Sequence, residues 1–151
     1  MIALSKRAVY RKLDQFLPNW RESGGWTYNR FCDAPFLCHA GDVPFDALID
    51  TTLSIISEIR LPEHELLFYH DGLAGWRATK KSIRGFRIET VDEIRLLLSE
   101  QLFFRDPRGF SENYNLIDES GLWMITFSHE KKWFFFHRSE EVFDRLKTKY
   151  D

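Results

Sequence analysis

Ser128-His129-Glu130 places a hydroxyl, an imidazole and a carboxylate in three consecutive residues, the side-chain types of a nucleophilic hydrolase. That chemistry needs the hydroxyl on one ring nitrogen and the carboxylate behind the other. Consecutive residues in a tight turn diverge, so the tripeptide reads as a turn between strands. Cys32, Cys38 and His39 are metal-ligand types, but five residues separate the two cysteines, against about two to four in common zinc sites. A fourth ligand would have to be His64 or His70, and no metal is expected. His70-Asp71 reads as a turn in which Asp serves the backbone. The chain contains no glycine-rich phosphate loop, no G-x-S-x-G and no H-E-x-x-H. The expectation is a protein without catalytic residues, cofactor or small-molecule substrate, and not an enzyme.

Two charge blocks offer binding instead. Asp46, Asp50 and Glu58 lie opposite the apolar stripe of a helix, followed by Glu63, Glu65 and Asp71, with only Arg60 to balance the six acids. Read plainly, this is a solvated helix surface with Asp46 placed by the helix N-terminus. Like charges at Asp46 and Asp50, one helical turn apart, nevertheless cost about a few tenths of a kcal/mol, and an acidic face suits a basic partner. The second block, WRATKKSIRGFR (residues 76–87), has five basic residues and no acid. It would contact phosphates, with Trp76 and Phe86 stacking on bases. No nucleic-acid motif accompanies it, and the net charge is −2, so nucleic-acid binding through residues 77–87 is the lesser reading.

Charge is uneven along the chain, with nets of +4 over residues 1–30, −7 over 31–75, +3 over 76–109 and −2 over 110–151. The 151 residues fit one domain, 1–151, and 16% of them are aromatic. The longest apolar runs, LLFY and WFFF, are four residues, far below the roughly 20 that span a bilayer. MIALSKRAVYRKLDQF lacks the apolar core of a signal peptide. A cytoplasmic protein with reduced cysteines and no membrane contact is expected.

These groups need elements to hold them. Val9, Leu13, Phe16 and Leu17 share one helical face, predicting a basic helix over residues 4–17 that Pro18 ends. NWRESGGWTYNRFCDAP reads as loop and FLCH as a short strand. Asp42 is placed to cap a second helix, with Pro44 in its first turn and a stripe of Phe45, Leu48, Ile49, Ile56 and Ile59. ELLFYH, Asp71-Gly72 and LAGWRAT predict a hairpin with strands at 65–70 and 73–79. Thr90 and Glu93 form a capping box for a third helix reaching about residue 103. YNLID, LWMITF and KWFFFH predict a three-stranded meander, and Ser139 caps a last helix with acids first and lysines last.

A turn centred between His129 and Glu130 pairs Ile125 with Phe134 and Trp123 with Phe136, while the link Glu119-Ser120-Gly121 pairs Ile117 with Trp123. One face then holds Ile117, Trp123, Ile125, Phe127, Phe134 and Phe136. The other holds Tyr114, Leu116, Leu122, Met124, Thr126, Trp133, Phe135 and His137. The first is the expected core. The second mixes apolar bulk with polar tips, which suits a half-buried binding surface. The alternative is that helices cover both faces. Candidate partner-binding residues are therefore Asp46, Asp50, Glu58 and Asp71 on the acidic side, and Tyr114, Trp133 and His137 on the aromatic one.

From FYHDGLAGWRA through TVDEIRLLLSEQL to ENYNLIDESGLWMITFSHEKKWFFF, about residues 66–137, the chain resembles small bacterial immunity proteins of polymorphic or contact-dependent toxin systems and their uncharacterised relatives. A strand, a turn, Trp123 inside the next strand, then Ser-His-Glu and an aromatic strand carry the likeness. These positions are structural in such families, so none is carried over as functional. The resemblance implies a cytosolic antitoxin-like binder that occludes a cognate toxin domain; many such toxins are basic nucleases. The class-level alternatives are an intracellular interaction or regulatory domain, the nucleic-acid binder, and a small enzyme. The fold class expected is α+β, a mainly antiparallel sheet with about four helices packed on it.

Overall fold

The structure, a computed structural model, describes residues 1–23, 27–40, 43–70, 83–100, 113–128, 130 and 132–151. The apolar C-terminal third builds the expected meander: β5 (Tyr114–Asp118), β6 (Trp123–Phe127) and β7 (Lys132–His137). The sheet around it is larger than expected. Among the described residues seven antiparallel strands run in the order β1-β4-β3-β5-β6-β7-β2, with β1 at Ile2–Ser5, β2 at Phe36–Ala40, β3 at Leu66–His70 and β4 at Ile83–Ile88. The predicted second hairpin strand, 73–79, and the Asp71-Gly72 turn lie outside the described residues. Within them, β3 is flanked by β5 and by β4, which comes from the basic block. Gly85 is what lets a helix approach β4: a Cβ there would stand 2.7 Å from the Phe68 carbonyl oxygen and 3.0 Å from a Val9 methyl.

Four α-helices accompany the sheet among the described residues. Helix α1 (Lys6–Phe16) begins later than predicted because Ile2–Ser5 joins β4, and Ser5 caps it by accepting from the Ala8 N–H at 3.2 Å. Helix α2 (Phe45–Ile59) has Pro44 at its N-cap rather than in its first turn, and turns Ile49, Thr52, Ile55 and Ile56 inward. The expected cap Asp42 lies outside the described residues. Helix α3 (Val91–Glu100) is opened by Glu93, whose carboxylate accepts from the N–H groups of Glu89 at 2.9 Å and Thr90 at 3.3 Å. Helix α4 (Glu140–Tyr150) is capped by Ser139 as predicted. The segment read as loop contains two 3₁₀ turns, Trp20–Ser23 and Thr27–Phe31.

The register differs from the predicted one by a single residue at both turns of the meander. Ile125 faces Phe135, Trp123 faces His137, and Ile117 faces Met124. Each connection is one residue longer than expected. The Ser128 N–H donates to the Lys132 carbonyl at 2.7 Å, and the β5–β6 link turns through Gly121 at φ 64°. Because strand side chains alternate, a one-residue slip exchanges faces. Trp123 and Trp133 therefore share one face, with Tyr114, Leu116, Ile125, Phe127 and Phe135, beneath α2, α3 and α4. Ile117, Met124 and Phe136 lie on the other face with Leu67 and Tyr69, under α1 and the 3₁₀ turns.

Both faces are thus closed, as in the reading that helices cover both, and the mixed face is not left half open. Trp133 is 1% exposed, and its indole N–H donates to the Thr52 hydroxyl at 3.0 Å. That hydroxyl in turn donates to the Leu48 carbonyl at 2.8 Å. Thr126, expected beside Trp133, points the other way and donates to the buried Asn115 side chain at 2.8 Å. No helix among the described residues is long and apolar enough to cross a membrane. With both indoles in one core, Trp123→Ala and Trp133→Ala are each expected to cost about 3–5 kcal/mol of stability, the range for deleting a large buried aromatic. Denaturant titration checks this; a Trp133→Ala protein as stable as the parent would contradict the burial.

Candidate functional site

The candidate residues do not form one surface. Asp46 is exposed in the first turn of α2. Asp50 is engaged by Arg95 of α3 at 2.6 Å, and Glu58 accepts from Lys149 and, at 2.7 Å, from the Tyr150 hydroxyl of α4. These pairs hold three helices side by side and blunt the acidic face. Asp71 lies outside the described residues. Tyr114 is buried, stacked against Phe68 at 5.9 Å between ring centres, and Trp133 is buried under α2. Tyr114 and Trp133 thus lie in the core beneath the helices, and His137 is buried at the end of β7. Of the basic block, residues 77–82, and Trp76 before them, lie outside the described residues. Arg87 is drawn to Glu65 at 3.8 Å and Glu89 at 3.5 Å, while Phe86 packs against the core, not free to stack on a base.

The serine of Ser128-His129-Glu130 accepts from the Glu130 N–H at 3.2 Å, a turn role; His129 lies outside the described residues. Cys32 and Cys38 are free and exposed. Among the described residues, no three His, Cys, Asp or Glu side chains group so as to hold a metal ion.

What the fold does bring together lies at one end of the sheet. β5 ends there, β6 begins, β7 ends, and α4 starts beside the last turn of α2. The result is a pocket of about 330 Å³ with walls from Ile59, Leu61, Leu122, Trp123 and Val142 and polar groups from Glu58, His64, Asp118, His137 and Arg145. Asp118 is buried, and its Oδ1 accepts from the Ser120 hydroxyl and, at 3.0 Å, from the Ser120 N–H. Its Oδ2 faces His64 Nδ1 at 3.2 Å. A hydroxyl, a carboxylate and an imidazole do meet here, but Ser120 binds the carboxylate and not the ring, so the order of a nucleophilic triad is absent.

His137 and Trp123 are register partners that both line the pocket. The Ser139 N–H, at the head of α4, donates to His137 Nδ1 at 3.0 Å, so a neutral ring carries its hydrogen on Nε2. Burial pushes the His137 pKa down; Asp118 opposes this and Arg145 adds to it. Trp123 is 2% exposed, and its indole N–H finds no acceptor among the described residues. A larger hollow of about 610 Å³ lies on the α1 side, lined by Phe16, Asn29, Arg30, Asp33 and Arg138. There Arg138 is already committed to the Arg30 carbonyl, to Asp33 at 3.4 Å and to the Phe31 ring at 4.8 Å.

Sequence reasoning placed His137 and Glu58 among the candidates, and both line the pocket. It missed Asp118 and Arg145 and weighed His64 only as a metal ligand; the three are far apart in sequence and are gathered by the strand order. The one local signal was Asp118-Glu119-Ser120-Gly121, a turn in which Asp precedes Ser by two residues, as side-chain-to-backbone turns do. No protein-family model, no curated protein and no solved structure matches the chain.

A His pKa lowered by folding means that the unfolded chain binds the proton more readily. The contribution is fully present above the ordinary value of 6.5 and is lost as pH falls below it. His137→Asn, which keeps an acceptor for the Ser139 N–H, is expected to flatten the fall in Tm between pH 7 and about pH 5 relative to the parent. Parallel melting curves at those pH values check this, and identical slopes would remove His137 from the balance.

Proposed function

We propose that the protein is a non-enzymatic inhibitor that acts in the cytoplasm, binding a cognate bacterial toxin domain and blocking it by protein–protein contact. The observation that carries the reading is the pair Leu61 and Leu122, each 48% exposed, on the same pocket. Large aliphatic side chains left half in water beside an apolar hollow form a patch that a partner covers with gain. Glu63 and Glu119 are exposed nearby in the chain, and exposed carboxylates suit a basic partner. The likeness to immunity proteins over residues 66–137 points to the same class. Non-enzymatic action fits a pocket whose carboxylates are both engaged and whose serine is turned away from the imidazole.

The test is co-purification with the toxin domain encoded beside its gene. The parent protein is expected to form a 1:1 complex and abolish toxicity. Leu61→Arg combined with Leu122→Arg is expected to weaken the complex by about 2 kcal/mol or more, roughly 30-fold. Because both side chains are half exposed, Tm should move little. Parent-like affinity of the double variant would remove this patch from the interface, and no complex with the parent protein would end the inhibitor reading.

A further inference from the structure

We propose that the pocket at the end of the sheet is a binding site for a small apolar monocarboxylate, whose carboxylate accepts hydrogen bonds from Trp123 Nε1 and His137 Nε2 beside the Arg145 guanidinium. This does not depend on the inhibitor reading. Its basis is a count of what the pocket has left to offer. The carboxylates are spent, Asp118 on Ser120 and His64, and Glu58 on Lys149 and Tyr150. The unspent groups are donors. The Trp123 N–H is buried without an acceptor among the described residues, and an unmet buried donor forfeits about 1–3 kcal/mol. His137 has committed Nδ1 to the Ser139 N–H, leaving Nε2–H as the second donor. Arg145 stands near enough to bear on the protonation of both His137 and Glu58.

Two neutral donors and one cation on the lining of one pocket call for an anionic oxygen. The remaining walls, Ile59, Leu122 and Val142, call for an apolar stem. A volume of about 330 Å³ lies at the small end of ligand sites, which favours a short acid over a long one. Buried Asp118 would repel an anion, but its oxygens are already occupied, by His64 Nδ1 on one side and by Ser120 on the other.

Hexanoate is the probe and hexan-1-ol its neutral control. In ¹⁵N-labelled protein, hexanoate is expected to move the Trp123 indole cross-peak downfield saturably, leaving the other indoles in place. The cross-peak is identified by its loss in Trp123→Phe, which keeps the ring bulk and removes the donor. Calorimetry should show hexanoate binding weakened about tenfold or more in Trp123→Phe, and several-fold in Arg145→Gln with Tm unchanged. Should Trp123→Phe fail to fold, the exposed Arg145 variant carries the comparison. No saturable shift at Trp123 overturns the proposal. Equal binding of hexan-1-ol, or undiminished binding by Arg145→Gln, overturns it too, leaving an apolar hollow without carboxylate recognition.

Discussion

Strands that carry large apolar side chains on both faces must be covered twice, and β5 and β6 are buried at every residue. The other elements answer to that constraint. Helices α2, α3 and α4 close one face and α1 with the 3₁₀ turns closes the other. The high aromatic content, which as a sequence feature invites a docking surface, is consumed in filling two cores. Recognition is displaced to the rim, where the strands end and the covering helices begin.

The two core tryptophans show how the cover treats polar groups. Both are almost wholly buried on the same sheet face. Trp133 lies under the middle of α2, where Thr52 supplies an acceptor and passes the hydrogen bond on to the helix backbone. Trp123 lies at the start of β6, where α2 has finished and α4 has barely begun, and among the described residues no acceptor reaches its indole N–H. A native fold tolerates few unmet donors because each forfeits about as much as a typical hydrogen bond supplies. Trp123 also lies on the lining of the pocket, beside His137 and Arg145.

Much of the architecture was legible locally. The stripe at Val9, Leu13 and Phe16, the Glu93 cap, the Ser139 cap and the three apolar strands rest on spacing and capping chemistry that act within a few residues. What escaped was set by longer-range pairing. Ile2–Ser5 is too short to announce itself as a strand, and it forms one because β4 offers an open edge. Register depended on two turns whose lengths differ by one residue from the compact reading, and this was enough to put Trp123, Ile125 and Phe127 of β6 on the opposite face from Trp133. The pocket was least legible, since His64, Asp118, His137 and Arg145 belong to a loop, two strands and a helix that only the strand order brings together.

Hydrogen exchange of the indole N–H groups, followed by NMR in deuterated water, tells the two ends of the cover apart. Trp123 and Trp133 are equally hidden from solvent by burial, so burial alone gives them equal protection. If the sheet end opens at Trp123 and not at Trp133, the Trp133 indole, tied to Thr52 under α2, should exchange only with global unfolding. The Trp123 indole should then exchange faster by orders of magnitude. Equal, slow exchange at both would show the pocket sealed at its inner end and would contradict the account.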